Sequence, residues 1–152
     1  MVRNPLFKVS IYKIACGALH TVVITTEGEA YTFGCNDKGA LGRPGRESIP
    51  IRVELDEPVD MASAGDHHSV FASSSTGNIF FVGSYKNLKG QTIFSEELPL
   101  TKYNVNDIDS SQSPLRQKKL VKIVSGANHI GIIIDKKIYM RGVNDYGIKG
   151  KR

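Results

Sequence analysis

Acidic and histidine side chains recur at definite places in this sequence, and they are the residues most able to bind a partner or react. Asp37 lies in "CNDKGALGR", Asp66 lies in "SAGDHHS", and histidines recur at positions 20, 68 and 129. No cluster of cysteines or carboxylates with metal-ligand spacing accompanies the histidines, which predicts imidazoles hydrogen-bonded to backbone inside their own repeats and no metal site. No nucleophile with a nearby base is apparent either. The sequence therefore favours binding over bond cleavage and predicts no cofactor.

The two aspartates differ in how well the local sequence explains them. Asp37 follows Asn36 and precedes Lys38, in a run of residues that favours tight turns. The same Asn-Asp pair recurs in "VNDYG" near the C-terminal end, which favours a turn-forming role for Asp37 over a role in a site. Asp66 has alanine at the corresponding place in both sibling stretches. Asp66 is therefore the better candidate for a binding residue.

The C-terminal quarter of the chain carries the basic character. Residues 116–152 hold ten lysines and arginines but only two acids, in a chain with a net charge of +5. Arg116, Lys118 and Lys119 are candidates to contact an acidic protein surface, and the alternative is a solvated rim of lysines. A nucleic-acid site is disfavoured because no aromatics alternate with the charges. Ser113 precedes a proline next to this segment and is a candidate phosphorylation site.

Three stretches of the chain resemble one another, and each begins with glycine followed three residues later by histidine. The spacings between these anchors, 48 and 61 residues, fall near the period of propeller blades, the second being lengthened by an insertion. The anchors are Gly17 and His20, Gly65 and His68, and Gly126 and His129.

Each repeat contains two runs of β-branched and aromatic residues around a short polar connection, which predicts a β-hairpin. The paired runs are "TVVIT" with "AYTFG", "HSVFA" with "IFFVG", and "IGIII" with "IYMRG". The third connection lacks a turn glycine, so its hairpin is expected to be tighter or less regular. Gly34, Gly83 and Gly142 end the hairpins, where a close approach or a positive φ is expected. The predicted fold is all-β.

The predicted domain organisation is a lead-in at 1–13 followed by a single repeat domain at 14–152. Within it, 101–119 mixes Asn, Asp, Ser and Pro without apolar alternation, which predicts a flexible surface insertion. Cys16 and Cys35 match no common ligand spacing and are expected to be reduced and buried. No signal peptide or membrane-spanning segment is apparent, so a cytosolic or nuclear protein without a membrane partner is expected.

Several motifs together resemble the repeat of the regulator of chromosome condensation family. They are the Gly-x-x-His anchors, "FGCNDKGALGR", "VEL" at 53–55 and "SAGDHHS" at 63–69, in the family's order and roughly its spacing. The resemblance implies a β-propeller of four-stranded antiparallel blades. The family's propeller has seven blades, so three repeats predict a partial β-propeller of about three blades.

The resemblance also implies partners and site residues. The family's founding activity is guanine nucleotide exchange on the small GTPase Ran, with Ran on one propeller face and nucleosomes or histones on the other. Asp37 and Asp66 match family positions important for exchange, and Arg116, Lys118 and Lys119 would meet chromatin. The family inserts a β-wedge after the "LGR" segment, whereas the link at 43–53 is short, which predicts weakened or lost exchange.

The function that follows is a Ran-binding or chromatin-binding protein of the nucleus, with the cytoplasm as the alternative location. A protein-interaction scaffold of propeller type, without any effect on a GTPase, is the alternative function. The short link at 43–53 favours the scaffold, and neither function involves a small-molecule substrate.

Overall fold

The structure is a computed structural model that describes residues 5–86, 92–93, 100–108 and 118–142. Three antiparallel sheets follow one another along the chain as three blades of a β-propeller, which confirms the predicted fold class. The innermost strands of the three blades lie side by side around the centre. In blade 1 the strands lie side by side in chain order. They are β1 (Ile11–Cys16), β2 (His20–Thr25), β3 (Ala30–Gly34) and β4 (Ile51–Arg52).

Blade 2 is also four-stranded, but its outer strand comes from the insertion. β5 (Met61–Ala64), β6 (His68–Ala72) and β7 (Asn78–Gly83) form a meander, and a separate two-stranded hairpin then consists of β8 (Tyr85–Lys86) and β9 (Thr92–Ile93). The chain returns to blade 2 with β10 (Thr101–Asn104), which pairs with β7, and then forms the short helix α1 (Val105–Ile108).

Blade 3 has three strands among the described residues: β11 (Leu120–Ser125), β12 (His129–Ile134) and β13 (Lys137–Gly142). All three predicted hairpins are present. The third is the tight one, since Ile134 pairs directly with Lys137 and Asp135 takes a φ of 53°. Two single turns of 3-10 helix complete the described secondary structure, at Pro5–Lys8 and Asp37–Gly39.

Successive side chains of a strand point to opposite faces of its blade, and the apolar ones pack against the neighbouring blades. Val22 and Ile24 of blade 1 pack with Phe71, Phe80 and Val82 of blade 2 in one apolar cluster. The intervening residues of blade 2 point the other way and form a second cluster with blade 3. This cluster includes Val70, Ile79, Phe81, Ile130 and Ile132. Blade 2 is therefore buried on both faces, which explains why β6 and β7 are almost continuously apolar.

The glycine of each Gly-x-x-His motif leaves room for the imidazole three residues later. A Cβ atom on Gly17 would lie 2.4 Å from Cε1 of His20, and one on Gly65 would lie 2.1 Å from Cε1 of His68. The glycine that ends each hairpin faces the same histidine from the paired strand. Gly34, for example, pairs with His20 at a φ of 109°, a region that favours glycine.

Two predictions of local structure are wrong. The segment at 101–119 was expected to be a flexible insertion, but residues 101–108 form β10 and α1, because β10 pairs with β7 in spite of its polar composition. Residues 109–117 of this segment lie outside the described residues. Cys16 was expected to be buried and is exposed, while Cys35 is half-buried; both thiols are free. Cys16 lies on the side of β1 that faces away from blade 2, where no described blade covers it.

Candidate functional site

The propeller presents two faces, at the two ends of its strands. The first, called here the His-turn face, carries the three Gly-x-x-His turns and the loop at 35–50 that follows β3. Backbone hydrogen bonds join the turns across the blades: the N–H of Ala18 donates to the carbonyl of Gly65 at 3.3 Å, and the N–H of Asp66 donates to that of Ala127 at 3.1 Å. The opposite end, the hairpin face, carries the β-hairpin turns.

Asp66 lies on the His-turn face, in the turn between β5 and β6. Its backbone is fixed by the bond to Ala127, whereas its half-buried carboxylate makes no hydrogen bond or ion pair with the described residues. The repeat thus uses the main chain at this position and leaves the side chain available. This geometry agrees with the sequence argument that the repeat itself does not require an aspartate here.

Asp37 lies on the same face, and the structure changes how its motif is understood. The turn is closed by Asn36. Its side-chain Oδ1 accepts from the backbone N–H of Leu41 at 2.9 Å, and its backbone carbonyl accepts from the N–H of Gly39 at 2.9 Å. The exposed carboxylate of Asp37 makes no contact of this kind with the described residues. The turn-forming role predicted for Asp37 therefore belongs to its neighbour.

Arg43 organises the rest of this loop and was not singled out from the sequence. Arg43 is only 6% exposed, and its guanidinium donates to the carbonyls of Thr32 at 2.7 Å, Arg46 at 2.9 Å and Ile49 at 3.1 Å. Burial lowers the pKa of Arg43. The sequence signal that could have indicated this role is the arginine in "LGR", which lies eleven residues after Thr32 of β3. Arg43 holds the link between β3 and β4 against the blade.

The repeated histidines lie beneath the same face and have a structural role. His20 and His68 are buried, as predicted, and His129 is half-buried. His20 has a backbone hydrogen-bond partner, as predicted, but this partner is His68 of the next blade and not a residue of its own repeat. Its Nε2 is also hydrogen-bonded to the hydroxyl of Ser69 in the next blade at 2.9 Å. Burial lowers the pKa of His20, and burial together with the neighbouring imidazoles of His20 and His129 lowers that of His68 to about 4.

The separate β8–β9 hairpin also begins on the His-turn face, because it directly follows the end of β7. Its backbone pairing joins Tyr85 to Ile93 and Lys86 to Thr92. From the sequence, the link at 43–53 was the expected place for a wedge, but that link forms a loop around Arg43. The two-stranded element β8–β9 instead follows β7 of blade 2.

The basic candidates lie on the other face. Lys119 is exposed and directly precedes β11. Its backbone N–H donates to Oδ1 of Asp135 at 3.1 Å, and its carbonyl accepts from the backbone N–H of Asp135 at 2.8 Å. Lys118 is its half-buried neighbour. Arg116 and Ser113 lie outside the described residues. The structure therefore brings Asp37 and Asp66 to one face and separates them from Lys118 and Lys119.

Two further features are absent from the described part of the chain. No group of three histidine, cysteine or carboxylate side chains there is arranged to hold a metal ion. Nor does that part contain a helix with the length and apolar character needed to cross a lipid bilayer.

Comparison with known proteins agrees with this geometry. Residues 27–72 match the profile described as "Regulator of chromosome condensation (RCC1) repeat", and residues 11–40 match a second profile of the same description. The chain is 36% identical to Regulator of chromosome condensation of Xenopus laevis and 34% identical to that of Homo sapiens, over 93% of its own length. The chain belongs to the family of regulator of chromosome condensation repeat proteins.

The chain spans about a third of the length of these relatives, 32% and 33% respectively. Among solved structures, Prp20p from Saccharomyces cerevisiae superposes with a TM-score of 0.68 at 22% identity, over 92% of this chain and 34% of that one. That crystal structure was described together with the binding of Prp20p to Gsp1p and histones. At this identity the likeness supports the propeller fold of the regulator of chromosome condensation repeats.

Proposed function

We propose that this regulator of chromosome condensation repeat protein binds the small GTPase Ran through its His-turn face and promotes release of bound nucleotide. The observation that carries the proposal is the presence on that face of two carboxylates, of Asp37 and Asp66, that no described residue pairs. Both stand on backbone fixed by hydrogen bonds. Fixed, unpaired carboxylates suit recognition of basic and phosphate-binding elements of a partner.

The β8–β9 hairpin supplies the second part of the proposed mechanism. An exchange factor accelerates release by binding the nucleotide-free GTPase more tightly than the loaded form. A hairpin that leaves the same face as Asp66 is suited to press on the nucleotide site, in the manner that the family resemblance implies for a β-wedge. We therefore assign the wedge role to the paired strands β8 and β9 and not to the link at 43–53.

The test is stopped-flow release of a fluorescent GDP analogue from Ran. The wild-type chain is expected to accelerate release, and Asp66→Ala to reduce the acceleration about tenfold, corresponding to about 1.4 kcal/mol. Glu54→Ala is the matched control, because Glu54 is an exposed carboxylate on the hairpin face. Replacing 85–93 by a short glycine-serine link should abolish acceleration while retaining binding to nucleotide-free Ran. No acceleration by the wild type would exclude the exchange activity.

The hairpin face favours a second candidate function, an interaction with chromatin in the nucleus. Exposed Lys119 and Lys136 stand there in blade 3, while exposed Glu54 and Asp56 stand there in blades 1 and 2. A face with both signs of charge suits a protein surface with mixed charge, such as the histone part of a nucleosome, better than the uniform charge of DNA. The wild type is expected to retain nucleosomes in a pull-down.

The two functions are separable because they use opposite faces. Lys118→Glu with Lys119→Glu should weaken nucleosome retention and leave nucleotide release from Ran unchanged, while Asp37→Ala with Asp66→Ala should do the reverse. Retention of nucleosomes without any binding of nucleotide-free Ran would identify the chain as a scaffold.

A further inference from the structure

We propose that Gly83, the last residue of β7, is the positioning residue that fixes the two candidate carboxylates and the β8–β9 hairpin relative to one another. The inference rests on the function proposed above, because it concerns how the same face is assembled. It starts from a place where three segments of that face meet: the turn of Asp66, the loop of Asp37 and the chain that enters β8.

Gly83 packs directly against the turn that carries Asp66. It pairs with His68 across β6 and β7, and a Cβ atom on Gly83 would lie 2.2 Å from the carbonyl oxygen of His67 and 2.9 Å from Cα of His68. Both atoms belong to the backbone, so they cannot turn aside as the end of a side chain can. Only glycine therefore allows β7 to end this close to the residue that follows Asp66.

The same carbonyl group holds the start of the β8–β9 hairpin. The backbone N–H of Ser84 donates to the carbonyl of His67 at 2.8 Å, and Ser84 directly precedes β8. Ser84 is itself buried. One carbonyl thus connects the hairpin to the neighbour of Asp66, and Gly83 determines how closely the two backbones approach.

The loop of Asp37, which follows β3 of blade 1, packs on the same glycine. The Cβ atom added to Gly83 would lie 3.1 Å from Cα of Ala40, and one added to Gly39 would lie 3.9 Å from Cα of Gly83. The carbonyl of Ala40 accepts from the buried hydroxyl of Ser69 at 2.8 Å, so the loop cannot retreat without losing this hydrogen bond. Asp37 therefore stands on a segment whose distance from β7 is set at Gly83.

The contact with this loop distinguishes Gly83 from the glycines that end the other two hairpins. For Gly34 and Gly142, the three atoms nearest to an added Cβ all belong to the Gly-x-x-His turn of the same blade. For Gly83, the third atom is Cα of Ala40, in the loop of another blade. The repeat explains a glycine at this place. It does not explain why three segments that face the partner converge on it.

The relative placement of these segments matters because exchange needs several contacts at once. An encounter with loaded Ran can begin at one carboxylate, whereas the nucleotide-free complex needs both carboxylates and the hairpin in place together. Binding groups of this kind must be held within about 0.5 Å of their productive positions. A side chain at Gly83 requires a larger displacement, since a Cβ atom essentially never approaches another heavy atom within 3.0 Å.

The first test compares Gly83→Ala with Gly77→Ala, at the two ends of the same pair of strands. Gly77 lies in the turn between β6 and β7, on the hairpin face, and its φ of 74° is positive like the 90° of Gly83. It also lacks room, since its Cβ atom would lie 2.6 Å from Cγ2 of Val105. Both variants should lose stability in urea denaturation, but only Gly83→Ala disturbs the His-turn face.

Stopped-flow release of the fluorescent GDP analogue from Ran, at varied concentrations of the chain, separates the maximal rate from the half-saturating concentration. Gly83→Ala should lower the maximal rate about tenfold and change the half-saturating concentration by less than about threefold. Gly77→Ala should keep both wild-type values. A wild-type maximal rate in Gly83→Ala would overturn the proposal, whereas no acceleration by the wild type would remove the proposed function instead.

The second test needs no partner, so it decides the inference even if the chain does not act on Ran. In two-dimensional amide NMR spectra of the 152-residue chain, Gly83→Ala should shift the signals of Leu41 and Ser84. Hydrogen exchange at Ser84 should become about tenfold faster, because its bond to His67 is strained. Gly77→Ala should leave both signals in place. A change at Ser84 without one at Leu41 would contradict the joint placement.

Gly42→Ala approaches the same contact from the loop and serves if Gly83→Ala does not fold. A Cβ atom on Gly42 would lie 2.6 Å from Cγ1 of Val82, the residue before Gly83. The substitution displaces the loop from β7 and leaves the Asp66 turn untouched. It should shift the amide signal of Leu41 and lower the maximal rate of release about threefold. A wild-type rate despite a shifted Leu41 signal would overturn the proposal.

Discussion

Nε2 of His20 and the hydroxyl oxygen of Ser69 lie 2.9 Å apart, although 49 residues separate them in the chain. The same hydroxyl donates to the carbonyl of Ala40 at 2.8 Å. Ser69 thus connects the motif histidine of blade 1, the loop after β3 and the first residues of β6. Three segments that carry the family motifs are held together by one buried hydroxyl group.

Removal of this hydroxyl should therefore be costly. Ser69→Ala leaves a buried imidazole nitrogen and a carbonyl without their partner, which should lower the free energy of unfolding by between about 1 and 3 kcal/mol. Urea denaturation at pH 7.5 measures the loss. Ser48→Ala, in an exposed loop, is the control and should change stability by less than about 0.5 kcal/mol. Equal stability of the two variants would show that the contact contributes nothing.

The unpaired ring of His68 gives the opposite experiment. Ile130 stands where blade 2 has Ser69, so Ile130→Thr supplies a hydroxyl beside His68 and Ile130→Val supplies a side chain of the same shape without one. Threonine normally costs more than valine at a buried site, because its hydroxyl must be desolvated. Here the threonine variant should be at least as stable as the valine variant in denaturant titrations. A threonine variant less stable by 1 kcal/mol or more would contradict this assignment.

Stability should fall in mild acid because of His68. Its pKa is about 4 in the folded protein and near 6.5 when unfolded, so the unfolded chain binds the proton more readily between these values. The stability due to the neutral imidazole is complete above pH 6.5 and is lost as the pH falls towards 4, by up to roughly 3 kcal/mol. Denaturant titrations at pH 7.5, 6 and 5 measure the slope.

His68→Gln removes this titration and should flatten the slope over the same pH range, while lowering stability at pH 7.5. His67→Gln is the matched control, since His67 is adjacent but incompletely buried and makes the smallest of the named contributions to the lowered pKa of His68, so it should keep most of the wild-type slope. If both variants show the wild-type pH dependence, His68 does not cause it.

Arg43 should not be replaceable by lysine. A single ammonium group cannot reach the carbonyls of Thr32, Arg46 and Ile49 together, as the planar guanidinium does. Arg43→Lys should therefore cost roughly 2 to 4 kcal/mol and expose 44–50 to proteases. Limited trypsin digestion detects the change at Arg46. Arg52→Lys, in the exposed ion pair with Glu29, should be nearly neutral.

The fold was predictable because its signals are local and repeated. Alternation in the paired runs and the recurring Gly-x-x-His motif determine the hairpins, and the third hairpin is tight for the predicted reason. β10 was not predictable in this way, since "TKYN" becomes a strand only through its pairing with β7. The position of Cys16 likewise depends on which blade covers β1, information that a window of sequence does not contain.

The candidate site was predictable residue by residue but not as an arrangement. The repeat comparison singled out Asp66, because alanine replaces it in the sibling turns. Only the side-chain positions show that Asn36, and not Asp37, closes the turn. The role of Arg43 likewise depends on the conformation of the loop that surrounds it, which the sequence pattern does not indicate. The separation of the acidic and basic candidates onto opposite faces follows from strand direction, which the hairpin pattern already implied.

Burial of blade 2 on both faces also orders the chain's response to partial denaturation. In a stack where each unit contacts only its neighbours, the middle unit opens only after it has lost one contact, whereas an end unit opens at the cost of one. Amide hydrogens of β6 and β7 should consequently exchange most slowly among the described strands. Asp37, a candidate contact in the loop after β3 of blade 1, thus depends on a blade for which one packed face is described, whereas Asp66 stands on the blade whose two packed faces hold it longest.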